Sequence, residues 1–105
     1  MIKSISEMFS RKPAKKVHEA SLVTFTPQEL AELRRISKQV LEGNAVLLDF
    51  SNTSKTLSIR IVDHISGLLM GIGGDYRKIA PKKFLVSRSK ELSNKFENDI
   101  KKIEI

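Results

Sequence analysis

Cysteine and tryptophan are absent from this chain of 105 residues, and tyrosine occurs only once. Without cysteine there are neither disulfides nor thiolate metal sites, so packing and hydrogen bonds must hold the fold, and the redox compartment is left open. No apolar run approaches the roughly 18 to 20 residues of a membrane span. The opening residues also lack the apolar stretch and small-residue cleavage site of a signal peptide, which predicts a protein that stays inside the cell. Catalytic constellations are missing too. His18 and His64 stand apart from any other convincing metal ligand, and Asp49 and Asp63 are single carboxylates beside apolar runs. No spacing suggests an acid/base pair, so neither an enzyme nor a bound metal or other cofactor is expected.

What is there is a modest core and an excess of positive charge. A hydrophobic content of 40% is enough for one small domain,. The net charge of +7 favours an anionic partner, and acidic lipid, an acidic protein segment or nucleic acid would each satisfy it,.

The distribution of that charge is informative. Treated as a helix at about 100° per residue, Met1, Ile2, Ile5, Met8 and Phe9 fall within an arc of roughly 120°, while Lys3, Ser4, Ser6, Glu7, Ser10 and Arg11 occupy the rest. Arg11, Lys12, Lys15 and Lys16 follow, around Pro13, which stops the helix and opens a basic linker over residues 13–20,. Residues 1–12 read as an in-plane membrane anchor, with the apolar stripe among acyl chains and Lys3, Arg11 and Lys12 near anionic headgroups. Each basic residue near such a surface adds about 1 kcal/mol. A helix of only about eleven residues is marginal in water, so this segment is expected to fold on lipid. The plainer alternative is that the stripe packs on the protein's own core.

Residues 21–105 read as a globular unit. Ser21 to Phe25 is a short β-rich run, and Thr26-Pro27-Gln28-Glu29 reads as a capping box with Pro at the first helical position. A helix to about residue 42 would bury Leu30, Leu33, Ile36, Val40 and Leu41, with Gly43-Asn44 ending it. Ala45 to Phe50 has the nearly continuous apolar character of a central strand, and Ser51 to Ser54 can cap a second helix over residues 55–66. Leu57, Ile61 and Ile65 recur on one helix face, Gly67 is placed to end that helix in the left-handed conformation, and Leu68 to Ile72 reads as a strand. Gly73-Gly74 then permits a bulge or turn. Strands 75–79 and 83–87 would be joined through Ala80-Pro81-Lys82.

The predicted order is βαβαβββ, an α/β two-layer sandwich in which a small mixed sheet carries two helices on one face. The other face would be left bare, with residues such as Met70 and Ile72 on it, and an apolar face of that size calls for a homodimer. Leu92, Phe96, Ile100 and Ile103 share a narrow stripe in the tail, which predicts a C-terminal helix packed across such a dimer.

The order of residue types from Arg60 to Val86, with its apolar helical run, the glycines Gly67, Gly71, Gly73 and Gly74, and the hairpin carrying Tyr76-Arg77-Lys78-Ile79 and Phe84-Leu85-Val86, resembles the core domain of the SepF family. His64 stands where that family more often has Phe, and Arg88 where it commonly has Pro. SepF proteins act in bacterial and archaeal cell division, linking the tubulin-like GTPase FtsZ to the membrane. The resemblance implies a non-enzymatic adaptor on the inner face of the cell membrane at the division site, assisting septum formation. It also implies an N-terminal membrane helix, a homodimer able to extend into a polymer, and a groove for the C-terminal peptide of FtsZ. The basic and aromatic residues important to that groove correspond to Lys78 and Phe84; on physical grounds either Lys78 or Arg77 could meet a carboxylate, and the plainer alternative is that Phe84 is ordinary strand core. Gly67 and Gly74 match glycines that support self-association, Gly67 where dimers meet and Gly74 within the sheet.

The main alternative is a small basic nucleic-acid-binding α/β domain. Gly71-Ile72-Gly73-Gly74 is formally a GxxG sequence of the kind found in KH domains. A KH loop must lead directly into a helix, however, and Pro81 follows too soon. No GK[ST] sequence supports a nucleotide-phosphate loop, so structural glycines are the favoured reading and no nucleic acid is expected.

Overall fold

The computed structural model describes residues 19–104, with side chains to residue 102. The candidate membrane segment at residues 1–12 and most of the 13–20 linker lie outside the described residues. The elements are β1 (Leu22–Phe25), a 3-10 turn (Leu30–Glu32) running into α1 (Leu33–Leu41), β2 (Ala45–Asp49), α2 (Lys55–Ile72), β3 (Asp75–Ala80), β4 (Lys83–Ser87) and α3 (Lys90–Glu104). The fold is mixed α/β as expected, but its order is βαβαββα.

The sheet order is β1-β2-β4-β3. β1 and β2 run parallel, so a crossover must join them, and α1 supplies it,. β4 pairs antiparallel with both β2 and β3. The apolar run from Ala45 therefore takes a central position, where Ala45, Val46 and Leu48 are almost completely buried. α1 and α2 cover one face: Ile36, Val40, Ile61, Ile65 and Leu69 pack on Val46, Leu48, Phe50 and Val86.

The expected strand at residues 68–72 does not form, because α2 continues through it to Ile72. Ile61, Ile65 and Leu69 continue the four-residue repeat into the core, with Ile72 partly buried beside them. Burying a side chain of this size contributes about 1.5–3 kcal/mol, whereas a helical glycine such as Gly67 costs about 1 kcal/mol relative to Ala. The buried stripe therefore carries the helix past Gly67, which lies exposed in its interior. Gly73 ends it instead, with φ +70°, and the Gly74 N–H reaches back to the Leu69 carbonyl at 2.8 Å,. At its other end Ser54 is the N-cap, accepting a hydrogen bond from the Leu57 N–H at 3.1 Å.

The first helical segment begins later than Thr26 predicts. The capping box uses Glu29 and Glu32, and the Glu32 carboxylate accepts from the N–H groups of Gln28 and Glu29. Pro27 is buried in the approach to the helix, and Leu41, expected in the core, is 43% exposed.

The opposite face of the sheet is not bare. α3 folds back over its own sheet, packing Phe96 and Ile100, with Leu92 partly buried beside them, on Ala45, Leu85, Leu22 and Ile79. The expected placement of the tail across a dimer is therefore corrected, and the bare-face argument for pairing through the sheet is removed. Met70 and Ile72 belong to α2 rather than to that face. Polar contacts fix the docking: buried Ser87 and Ser93 hydroxyls are 2.7 Å apart, and Arg77 reaches Glu97 at 2.9 Å.

Candidate functional site

The β3–β4 hairpin builds the site. Lys78 stands directly opposite Phe84 in the ladder, so both side chains leave the same face of the sheet, toward α2,. Tyr76 precedes Lys78 by two positions and shares its face. Its ring stacks on Phe84 with centroids 5.4 Å apart and planes 10° from parallel, while Phe50 closes on Phe84 from the other side at 5.8 Å. The Phe50 N–H donates to the Lys82 carbonyl at 2.8 Å, which ties the hairpin turn to the end of β2. Lys82 itself takes the left-handed conformation, with φ +62°.

The first turns of α2 form the other wall, through Ser58, Ile59, Val62 and Asp63, with Lys55 at the helix start. The result is a groove of about 510 Å³ with Phe50, Tyr76 and Phe84 in its floor and Lys55, Lys78, Lys82 and Asp63 among its lining residues. Ile59 and Tyr76 are among the exposed large hydrophobic residues of the described chain, at 51% and 43%. Beyond Tyr76 a smaller depression of about 380 Å³ runs between Leu69, Met70 and Gly74.

Lys78 and Phe84, singled out from the sequence, thus meet in one groove. Arg77 does not join them. Alternation sends it to the α3 side, where Asp75 holds it at 2.8 Å, Glu97 at 2.9 Å and Asn94 at 2.8 Å. The hydrogen bond from Arg77 holds the Glu97 carboxyl below its ordinary range,. Burial pushes the Asp75 carboxyl up, but hydrogen bonds from Arg77 and Ser93 and the neighbouring positive charges outweigh it, so Asp75 also lies low.

Two glycines noted from the sequence occupy different settings. Gly74 sits in the turn between α2 and β3, where a Cβ would come within 2.7 Å of both the Ser87 carbonyl oxygen and the Leu69 side chain. Gly67 has open space at its Cβ position on the outer side of α2, near Met70, which is 84% exposed. Asp49 accepts from the Ser51 N–H at 2.9 Å, and its hydrogen bonds with Ser51 keep its carboxyl low, which makes it a turn-fixing residue. His64 bonds the Arg60 carbonyl one turn back. Among the described residues no group of three or more His, Cys, Asp or Glu is arranged to hold a metal ion. No helix among them is long and apolar enough to cross a membrane.

Sequence reasoning missed Tyr76, Phe50, Ile59, Lys55 and Lys82 as groove residues. Tyr76 carried a signal, since a two-residue step from Lys78 in a strand fixes a common face. Ile59 carried another, because it is apolar and yet lies off the stripe formed by Leu57, Ile61 and Ile65.

Comparison with known proteins gives one answer. The family model described as "Cell division protein SepF" matches residues 22–90, from β1 to the start of α3. The cell division protein SepF of Limosilactobacillus reuteri is 28% identical over 78 residues, covering 73% of this chain and 56% of its own length. That of Rhodococcus erythropolis is 35% identical over 68 residues, covering 65% of this chain and 32% of its own length. The chain therefore spans about half or less of the length of these curated relatives. Among solved structures, a SepF-like protein from Pyrococcus furiosus superposes with a TM-score of 0.53 at 26% identity, covering 69% of this chain and 88% of that one. The helix-backed hairpin and its groove fall inside the matched residues, and the chain belongs to the SepF family of cell division proteins.

Proposed function

We propose that this protein is a division adaptor that holds the C-terminal peptide of FtsZ in the groove between α2 and the β3–β4 hairpin and carries it to the inner face of the cell membrane. The observation that supports this most is the register pair Lys78 and Phe84, which puts a cation beside a half-exposed aromatic floor. Aromatic anchors in a concave site supply most of the energy of peptide binding, and a rim cation adds orientation and encounter rate. Phe84 is also half-buried against the core, so it serves packing and binding together.

Residues 1–12 supply the membrane contact, through Met1, Ile2, Ile5, Met8 and Phe9 with Lys3, Arg11 and Lys12, and residues 13–20 act as the linker. One short anchor binds weakly. Two in a homodimer gain through effective concentration. Self-association is assigned to the outer side of α2 around Gly67 and Met70, where a second copy can approach without meeting a side chain at Gly67. Gly74 contributes indirectly, by keeping the end of α2 against β4.

Calorimetric titration of the FtsZ C-terminal peptide tests the groove. The wild type binds, Phe84→Ala and Lys78→Glu lose binding, and far-ultraviolet circular dichroism stays native. Loss of fold in Phe84→Ala together with unchanged binding by Lys78→Glu would overturn the assignment.

A further inference from the structure

The groove has two electrostatic ends. Lys55 and Lys82 lie where the start of α2 meets the hairpin turn, whereas Asp63 lies eight residues along α2, on the side of Tyr76. At about 1.5 Å per helical residue the two ends are about 12 Å apart. Lys78 and Ile59 fall between them. Among the described residues none of Lys55, Lys78, Lys82 or Asp63 is engaged in an ion pair, whereas on the α3 side of the sheet Arg77 pairs with Asp75 and Glu97, and Glu97 with Lys101. On its own helix Asp63 has no ion-pair partner either: among the described residues Arg60, one turn back, makes no salt bridge with Asp63.

We infer that Asp63 sets the direction in which the peptide lies, by pairing with a basic side chain about 12 Å from the carboxylate that meets the lysine end. This rests on the peptide-binding role proposed above. A ligand of net negative charge alone would satisfy the lysines and leave Asp63 facing like charge, which disfavours the reversed orientation. In an extended peptide that distance is three or four residues at about 3.3 Å each. The preferred segment thus carries an acidic residue, an apolar anchor over Phe84 and Ile59, and then a lysine or arginine by Asp63. Asp63 is a positioning and specificity residue, while Phe84 and Tyr76 provide the contact area.

A double-mutant cycle on the full-length protein tests this, with the FtsZ C-terminal peptide and versions in which each Lys or Arg is replaced by Gln. Asp63→Asn weakens the parent peptide about two- to fivefold, the range of an exposed ion pair. One Gln peptide shows the same loss against the wild type and no further loss against Asp63→Asn. Asp63→Lys weakens the parent peptide more, and replacing that same basic residue with Glu restores binding to it. Equal binding of the parent peptide by wild type and Asp63→Asn, while Phe84→Ala loses it, overturns the role of Asp63 and leaves the groove standing. Losses that add independently for every basic residue overturn it as well. Failure of the wild type to bind the parent peptide overturns both readings.

Discussion

Tyr76 lies flat on Phe84, with ring centroids 5.4 Å apart, and 43% of Tyr76 remains exposed. A stacked pair of this kind is worth about 0.5–1.5 kcal/mol beyond its buried area, yet half of this one faces the groove. Tyr76→Ala is therefore expected to lower unfolding free energy by about 1 kcal/mol and to weaken peptide binding by more than about fivefold, the scale of an interface anchor. Tyr76→Phe keeps both. Chemical denaturation and calorimetric titration read the two effects separately, and unaltered peptide affinity in Tyr76→Ala would exclude Tyr76 from the binding surface.

The first and last glycines of the SepF-like run should respond in opposite directions. At Gly67 an added methyl meets nothing within 4 Å, so Gly67→Ala is expected to raise stability by up to about 1 kcal/mol through helix propensity,. At Gly74 the same methyl meets the Ser87 backbone oxygen at 2.7 Å, which cannot yield as a side-chain tip can. Gly74→Ala should lose about 1–3 kcal/mol. Urea denaturation measures both, and a shift of the same sign in the two variants would contradict this packing. Gly67→Lys should keep the fold and lose self-association in sedimentation and electron microscopy.

Arg77 ties α3 to the sheet through Asp75 and Glu97, and both carboxyls lie below their ordinary range in the folded protein. Carboxyls depressed on folding contribute stability that is fully present above their unfolded values, near about pH 4, and is lost as pH falls through the folded values. Stability should decline on acidification below about pH 5. In Arg77→Met the stability at neutral pH is lower and that part of the acid decline shrinks, because both carboxylates then fold without the guanidinium and keep Ser93 beside Asp75 and Lys101 beside Glu97. Asp49, held low by Ser51 on the other side of the molecule, keeps its share in both proteins. Parallel acid profiles for wild type and Arg77→Met, measured by denaturation across pH, would show that the cluster contributes nothing.

Much of the fold was legible in the sequence, for reasons that can be named. β2 is a continuous apolar run because both of its faces are covered, and the 83–87 strand is apolar where it crosses the centre of the sheet. Ser54 and Gly43 carry local capping chemistry that needs no tertiary partner. Leu68 to Ile72 did not declare itself, since five apolar residues suit a buried strand or a helix equally and the choice depends on Leu69 reaching the core beside Ile65,. The stripe Leu92, Phe96, Ile100 identified the last helix, but a stripe shows only that a face is buried and not what buries it. Half of the groove was accessible in the same way. Lys78 and Phe84 came from likeness to a family, and Tyr76 follows from strand alternation. Ile59 is marked only as an apolar residue off the buried stripe, and it and Asp63 join the groove because α2 lies across the hairpin at one particular offset, which no local pattern encodes.

The adaptor reading joins two ends of one chain, and liposome flotation tests that junction directly. Anionic vesicles, full-length protein and FtsZ filaments are mixed and spun through a density gradient. FtsZ should rise with wild-type protein, remain below with Phe84→Ala although that variant still floats, and remain below with Phe9→Glu because the adaptor itself no longer binds lipid. FtsZ left at the bottom while wild-type protein rises with the vesicles, or vesicles that rise without the protein at all, would contradict the account.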